Sequence, residues 1–212
     1  MRAAFASSLL QLLAPERCAA CDALLDETEP AFCAACAPLL EPSSPEPDAL
    51  PVGSPAAFLY GGPLATAIQR LKYAGRSELA RPLGALLADY AVVFGGRVER
   101  VVPVPLHPSR LRERGFNQSA LLARPVAQAL GVPFDPHWLA RVRPTRDQAG
   151  LARDARSQNL RGAFAARGAR APRVLLIDDV RTTGATLAEA AEALLRAGCE
   201  HVHTLALARA AG

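Results

Sequence analysis

The stretch Arg173–Leu187, near the C-terminus, constrains the fold more than any other part of the chain. Its apolar run, Val174–Ile177, is too short for a helix, which predicts a strand buried on both faces of a parallel sheet. Asp178 and Asp179 follow at the carboxyl end of this strand, where open α/β sheets place their ligands. A small, threonine-rich turn then leads into an Ala-, Leu- and Glu-rich helix, Leu187–Arg196.

The acidic pair and the turn after it suit a sugar phosphate. A helix N-terminus and a glycine-containing turn offer unpaired backbone N–H groups to a phosphate. The hydroxyls of Thr182, Thr183 and Thr186 add further donors. The two aspartates can accept hydrogen bonds from vicinal sugar hydroxyls and lie close to any Mg2+ that the ligand's phosphates carry.

Three other kinds of structure share parts of this pattern. The Mg2+ site of a P-loop NTPase also follows a strand, but no Gly-x-x-x-x-Gly-Lys-Ser/Thr is present. A receiver domain begins with a similar run and needs more chain after it than follows here. An ordinary strand–turn–helix with capping residues is the third alternative, and the complete motif is far more specific than its pieces.

Four of the five cysteines form two Cys-x-x-Cys pairs that are separated by eleven residues. Such pairs are typical of a zinc ribbon, in which four thiolates complete a tetrahedral shell around a structural Zn2+. Disulfides are the alternative, but they are rare in the cytoplasm. The predicted metal ligands are Cys18, Cys21, Cys33 and Cys36, and Cys199 is expected to be a small buried residue.

Composition and the N-terminus indicate a cytoplasmic protein without membrane contact. No segment approaches the roughly 18 apolar residues of a membrane span. The net charge of +4 comes almost entirely from arginine and is weak evidence for nucleic acid. Residues 1–14 resemble a short signal peptide, but Ser7, Ser8 and Gln11 interrupt the apolar run, which favours an amphipathic helix.

A proline-rich stretch, Ala37–Pro55, predicts an extended linker. It divides the chain into an N-terminal helix and zinc ribbon at 1–37, a linker at 38–55 and one α/β domain at 56–212. Because such a linker uncouples its two ends, removal of the metal is expected to melt the ribbon and leave the main domain folded.

The main domain is expected to alternate strands with helices. The predicted strands are Ala56–Tyr60, Arg100–Leu106, Leu139–Val142 and, last in the chain, Val202–Ala208, and the predicted helices are Pro63–Tyr73, Leu79–Phe94 and Ala120–Leu130. Lys72 and Arg76 lie at the end of the first helix. They either favour its dipole or reach a phosphate, and the sequence leaves both alternatives open.

Two polar stretches are candidates for the rest of the site. A loop with Arg110, Arg112 and Arg114 follows a predicted strand, and it is either a diphosphate clamp or a solvated run of charge. The presence of the sugar-phosphate motif in the same chain favours the diphosphate clamp. The long loop Arg143–Asn159 has too few apolar residues to order itself, which is typical of a functional or disordered segment. As a lid it would exclude water from the site.

These motifs resemble known families. The stretch Arg173–Leu187 closely resembles the PRPP-binding signature of type I phosphoribosyltransferases, in which apolar residues, two acids and Thr-Thr-Gly-Ala-Thr follow one another. The rest of the chain resembles the ComF family in its four-cysteine ribbon, Leu71–Arg76, Arg114–Gln118, Thr145-x-x-Gln148, Arg156-x-x-Asn159 and Gly162–Phe164. The resemblance implies an α/β fold, a Rossmann-like parallel-sheet phosphoribosyltransferase domain preceded by a small zinc ribbon.

The resemblance also implies residue roles. Asp178 and Asp179 are expected to hold the ribose hydroxyls of PRPP, Arg181–Thr186 to wrap its 5′-phosphate, and Arg143–Asn159 to be the flexible catalytic lid. The expected catalytic residues are Asp178, Asp179, Arg112, Arg114 and Arg146. The expected PRPP-binding residues are Asp178, Asp179, Val180, Arg181, Thr182, Thr183, Gly184, Ala185, Thr186 and Lys72.

The expected function is transfer of a phosphoribosyl group from PRPP–Mg2+ to an unknown acceptor, such as a nitrogen base, with release of pyrophosphate. The alternative is a non-catalytic PRPP- or nucleotide-binding accessory factor in DNA uptake or processing. In the competence branch, the resemblance implies a helicase-like competence protein or single-stranded DNA as partner. The acceptor itself is not implied.

Overall fold

The computed structural model describes residues 16–43, 55–143, 160–168 and 171–210. Its strands are β1 (Ala56–Leu59), β2 (Arg100–Pro103), β3 (Leu139–Arg141), β4 (Phe164–Ala166), β5 (Arg173–Arg181) and β6 (His201–Arg209). Four of them form a parallel sheet in the order β1-β6-β5-β2, and β3 pairs with β4 in a separate antiparallel pair.

The α-helices in the described ranges are α1 (Gly62–Tyr73), α2 (Ala80–Ala91), α3 (Pro108–Arg114), α4 (Gln118–Leu130) and α5 (Ala185–Arg196). Short 3₁₀ turns lie at Ala37–Leu39, Ser77–Leu79 and Val92–Phe94. None of the helices in this part of the chain combines the length and the apolar character that a membrane crossing requires.

The main sheet is covered on both faces, as the apolar run in β5 predicts. Leu175 and Ile177 point into one apolar cluster, which α1, α2 and α4 complete, whereas Val174 and Leu176 point into the other, which includes α5. All four side chains are fully buried. Two layers of helices around a parallel sheet confirm the predicted α/β class.

Helices α2 and α4 approach each other closely at Gly84. A Cβ at this position would lie 2.8 Å from Cγ of Pro125 in α4, so a larger residue would push the two helices apart. This close packing fixes α4, and α4 carries Ser119 towards the end of β5.

Strand β5 is longer than its apolar run because β6 keeps pairing with it. Asp178 pairs with Ala206, and Arg181 still pairs with Arg209. The acidic pair therefore lies within the last part of the strand instead of after it. The last predicted strand, Val202–Ala208, lies inside β6, which is an interior strand between β1 and β5.

Three other predictions need correction. The arginine-rich segment is the helix α3 and not a loop, because Pro108 starts the helix, His107 Nδ1 accepts from the backbone N–H of Ser109, and Gly115 ends it at φ +83°. Strand β3, predicted as Leu139–Val142, belongs to the antiparallel pair and not to the main sheet. The α-helical part of Leu79–Phe94 is confined to α2, with a 3₁₀ turn at each end.

The start of the predicted linker is part of the domain. Pro42 forms an antiparallel bridge with Phe58 of β1, and the backbone N–H of Ser43 donates to the carbonyl of Ala57 at 2.9 Å. In addition, Phe32 of the ribbon belongs to the same apolar cluster as Leu64 of α1. The ribbon thus packs on the main domain, contrary to the separation that the linker suggested.

Several predictions lie outside the described residues. They are the N-terminal amphipathic helix at 1–14, the central part of the linker at 44–54 and the lid after Arg143, including Arg146. The boundaries of the three predicted segments stay a prediction.

Candidate functional site

The acidic pair is buried and held in a defined orientation. Asp178 is 7% exposed and Asp179 is 4% exposed. Oδ1 of Asp178 accepts from the hydroxyl of Ser119 at 2.9 Å and from the backbone N–H of Asp179 at 2.9 Å. Oδ2 of Asp179 forms an ion pair with Nζ of Lys72, which comes from the last turn of α1. Residues of α1, α4 and β5, which are distant in sequence, thus meet at the end of β5.

The charges at this point are set by burial and by one another. Burial raises the pKa of Asp178 to about 7, and the neighbouring carboxylate of Asp179 adds to this effect, while Lys72 and Ser119 oppose it. For Lys72, burial lowers the pKa, but the carboxylates of Asp179 and Asp178 outweigh it and hold the pKa above its ordinary value. The ammonium therefore stays charged, and Asp178 changes its protonation near neutral pH.

The turn after β5 presents backbone donors at the start of α5. Gly184, at φ +80°, is the N-cap of α5 and has no side chain that could cap the first N–H groups of this helix. The backbone N–H of Ala185 donates a long hydrogen bond to Oγ1 of Thr183, at 3.4 Å. Nε of Arg181 is buried and has no hydrogen-bond partner among the described residues. The N-terminus of a helix can bind an anion such as phosphate, sulfate or carboxylate.

Helix α3 and the end of α1 enclose a pocket beside the acidic pair. The pocket has a volume of about 270 Å³ and is lined by Lys72, Tyr73, Gly75, Arg110, Glu113, Arg114 and Phe116. Arg114 lies over the ring of Tyr73, 5.3 Å from its centre, and donates to Oε1 of Gln118 at 2.6 Å. Arg110 pairs with Glu113 at 3.1 Å.

The structure brings together some of the predicted site residues and not others. Lys72 lies at the acidic pair and also lines the pocket with Arg114. Arg112 is exposed and is not among the residues that line the pocket. Of the two residues at the end of α1, Lys72 contacts the acidic pair, whereas Arg76 pairs with Asp22 and Glu78. Whether they favour the helix dipole or reach a phosphate stays a prediction.

Two residues at the site were not predicted. Asn117 is the N-cap of α4, and Ser119 in the first turn of this helix donates its hydroxyl to Asp178 and orients it. Arg141 of β3 lies within the electrostatic reach of Asp178 and Arg110, and burial is the main reason that its pKa is lowered. Nothing in the sequence around Ser119 or around Arg141 indicates that these residues lie at the site.

The four cysteines of the ribbon converge on one point. Their Sγ atoms all lie within 4.8 Å of one another, and the Sγ atoms of Cys21 and Cys33 are 3.6 Å apart. Thiolates at the usual Zn–S distance are about 3.8 Å apart in a tetrahedron, so the cluster fits such an ion. All four are free thiols and not disulfides.

The pKa values of the cysteine thiols differ within the cluster. Burial acts to raise the pKa of Cys18, but backbone N–H groups, first that of Cys33, outweigh it and lower the pKa to about 6. Burial and the neighbouring thiols raise the pKa of Cys36 to about 12. Neighbouring thiolates repel one another, and a bound metal ion would supply the positive charge that favours their deprotonated form.

Residues 117–212 match the family model described as phosphoribosyl transferase domain. Together with the parallel sheet and the acidic pair in β5, this match defines a phosphoribosyltransferase-type domain. The chain is 38% identical over 156 residues to the DNA utilization protein YhgH of Salmonella typhi, covering 71% of this chain and 69% of that one. It is 36% identical over 162 residues to competence protein F of Haemophilus influenzae, covering 71% and 70%. To competence protein ComFC of Streptococcus pneumoniae it is 30% identical over 155 residues, covering 73% and 67%. The chain belongs to the ComF family.

Proposed function

We propose that the protein binds PRPP together with Mg2+ and transfers the phosphoribosyl group to an acceptor, with release of pyrophosphate. One observation carries the proposal: a buried acidic pair, Asp178 and Asp179, is followed by a short turn and a helix whose N-cap, Gly184, has no capping side chain. A ribose 5-phosphate needs these two features side by side, because its hydroxyls donate hydrogen bonds and its phosphate accepts them.

Each part of this stretch has a proposed role. The two aspartates would accept hydrogen bonds from the ribose hydroxyls, and Ser119 would keep the Asp178 carboxylate in its orientation. The turn Arg181–Thr186 would surround the 5′-phosphate with backbone N–H groups and hydroxyls. Arg181 would add a charge, since its Nε has no other partner among the described residues.

The diphosphate of PRPP would lie in the pocket beside Lys72. Lys72, Arg110 and Arg114 line this pocket, and it adjoins the acidic pair through the Lys72 ammonium. When the bond between C1 of the ribose and the diphosphate oxygen breaks, negative charge grows on the leaving group, and fixed cations stabilise that charge. Arg112, exposed on α3, and Arg146, outside the described residues, are proposed to join these cations when ligand is bound.

Two metal ions belong to the proposal. Asp178 and Asp179 would lie close to the Mg2+ that the phosphates of PRPP carry, and the ion would supply positive charge to the departing diphosphate. Cys18, Cys21, Cys33 and Cys36 would hold one Zn2+ in a closed, structural shell.

A second candidate function is a non-catalytic PRPP- or nucleotide-binding accessory factor. The names of the relatives refer to DNA utilization and to competence, which favours a link to DNA uptake or processing. In that case a helicase-like competence protein or single-stranded DNA would be the partner. Both versions include the cytoplasmic location that the sequence suggests.

The release of pyrophosphate from PRPP in the presence of Mg2+ separates the two functions. The zinc-loaded protein is assayed with a panel of nucleobases and nucleosides, beside Asp178→Asn and a control, Asp89→Asn, whose side chain is exposed on α2. Release that requires one acceptor, and that only Asp178→Asn abolishes, supports the enzyme. PRPP binding without release on any acceptor supports the accessory factor, and absence of both refutes the proposal.

A further inference from the structure

Besides the apolar packing of Phe32, the four-cysteine ribbon contacts the main domain through the carboxylate of Asp22. Asp22 follows the cysteine Cys21 directly, and its Oδ2 lies 2.8 Å from Nη1 of Arg70 while its Oδ1 lies 3.0 Å from Nη1 of Arg76. Arg70 belongs to α1, and Arg76 follows the end of that helix. The backbone N–H of Arg76 donates to the carbonyl of Arg70 at 3.4 Å, which closes the turn at the end of α1. The Asp22 carboxylate therefore pairs with the first and the last residue of this turn.

Asp22 is held in this place by the cysteine turn. It is the only residue other than glycine with a positive φ in the described part of the chain, at φ 62°. This conformation is unfavourable for most residues, and asparagine and aspartate tolerate it best. The backbone N–H of Asp22 donates to the carbonyl of Cys18 at 3.1 Å, and the backbone N–H of Cys18 donates to the carbonyl of Ala23 at 2.8 Å. A metal ion bound by Cys18 and Cys21 would close the same turn.

The turn that Asp22 binds carries the lysine of the acidic pair. Lys72 lies between Arg70 and Arg76 in the sequence, in the last turn of α1, and its ammonium contacts Asp179. The last turn of a helix frays easily because its carbonyl groups have no partner within the helix. The two ion pairs of Asp22, one with Arg70 and one with Arg76, therefore restrict the position of Lys72.

We propose that Asp22 is a positioning residue that connects the metal-bound ribbon to Lys72, so that loss of zinc or of the Asp22 carboxylate weakens PRPP binding. The PRPP part rests on the proposed function, whereas the mechanical link from Asp22 to α1 does not. Contrary to what the proline-rich linker suggested, the ribbon is then coupled to the main domain. Asp22 acts on the position of Lys72 through its contacts with Arg70 and Arg76.

The test compares Asp22→Asn with a matched control in the same ribbon, Asp26→Asn. Oδ1 of Asp26 accepts from the backbone and the side chain of Thr28 within its own turn, at 2.7 Å and 2.6 Å. Three quantities are measured: zinc content, hydrogen exchange of the amides at 62–77, and PRPP affinity in the presence of Mg2+. Asn fits the same backbone conformation, so both variants are expected to keep their zinc.

Asp22→Asn is expected to speed exchange at Ala74 and Arg76 and to weaken PRPP binding roughly three- to tenfold, because two partly exposed ion pairs are lost. Asp26→Asn should leave both quantities at the wild-type value. Unchanged exchange in zinc-loaded Asp22→Asn overturns the proposal. If the wild type binds no PRPP, the proposed function fails, and the exchange measurement alone decides on the link.

A second variant keeps the test valid if Asp22→Asn does not fold. The double substitution Arg70→Gln and Arg76→Gln removes the same ion pairs from the side of the main domain, far from the cysteines in sequence, and should reproduce the faster exchange. Adding Asp22→Asn to this background should change nothing further, because the carboxylate then has no arginine to hold. Additive effects would show that Asp22 acts on the ribbon alone and would overturn the proposal.

Discussion

The raised pKa of Asp178 predicts that the stability of the protein depends on pH. Asp178→Asn removes a buried ionisable group and keeps an oxygen that can accept from Ser119 and from the backbone of Asp179. In the folded protein the pKa of Asp178 is about 7 against an ordinary value of 3.8, a difference that corresponds to on the order of 4 kcal/mol. Because burial dominates this shift, the cost belongs to the ionised form.

The sign follows from which state binds the proton more tightly. The folded state holds the Asp178 proton more strongly than the unfolded state does, so the wild type gains stability at low pH. That gain is lost as the pH rises from about 4 to about 7. Other carboxylates also titrate in this range, and the difference between the variant and the wild type removes their contribution.

Chemical denaturation of the zinc-loaded proteins between pH 5 and pH 8 measures this difference. Asp178→Asn is expected to gain stability relative to the wild type as the pH rises, by up to about 3 kcal/mol at pH 8, since one proton per chain is involved. Asp89→Asn, at an exposed position on α2, is the control variant. A difference that stays flat from pH 5 to pH 8, or a variant that becomes less stable as the pH rises, refutes the reasoning.

Three further outcomes are expected. Lys72→Met leaves Asp179 buried without its cation and should cost about 3 kcal/mol of unfolding free energy in denaturation experiments, and an unchanged stability would contradict the buried pair. Metal analysis should find one Zn2+ per chain, and a Cys33→Ser protein with its full zinc content would contradict the cluster. Arg146→Ala should lower turnover more than PRPP affinity, and the amides of Arg143–Asn159 should become protected from hydrogen exchange when PRPP and Mg2+ bind; equal protection in both states argues against a lid.

The fold class was predictable because its signals are local. An apolar run without alternation indicates a strand that is covered on both sides, and β5 is covered on both sides. The extent of β5 was not predictable from the run. Its last residues, up to Arg181, are polar in part and stay in the strand because β6 supplies hydrogen bonds from a distant part of the chain.

The helix α3 was predictable and was missed. Pro108 at a first helical position, a capping residue before it and Gly115 after it are ordinary helix signals. The three arginines of this segment favoured the prediction of a charged loop instead. Two of these arginines, Arg112 and Arg114, lie in the last turn, where positive charge favours the helix dipole.

The site was predictable only as far as its motif extends. Asp178 and Asp179 follow their apolar run directly, whereas Ser119 reaches Asp178 from 59 positions away. The link between Asp22 and Arg70 likewise joins two charges with no characteristic spacing. Contacts of this kind depend on how helices pack on the sheet, and no local pattern encodes them.

Titration calorimetry of PRPP into the zinc-loaded wild type is the most direct test of the central proposal. One molecule of PRPP should bind per chain in the presence of Mg2+, and binding should weaken when Mg2+ is removed. Asp179→Asn should weaken it at least tenfold, because each charge-assisted hydrogen bond to a ribose hydroxyl contributes roughly 1.5–3 kcal/mol. A zinc-loaded wild type that binds no PRPP with Mg2+ present would contradict the account.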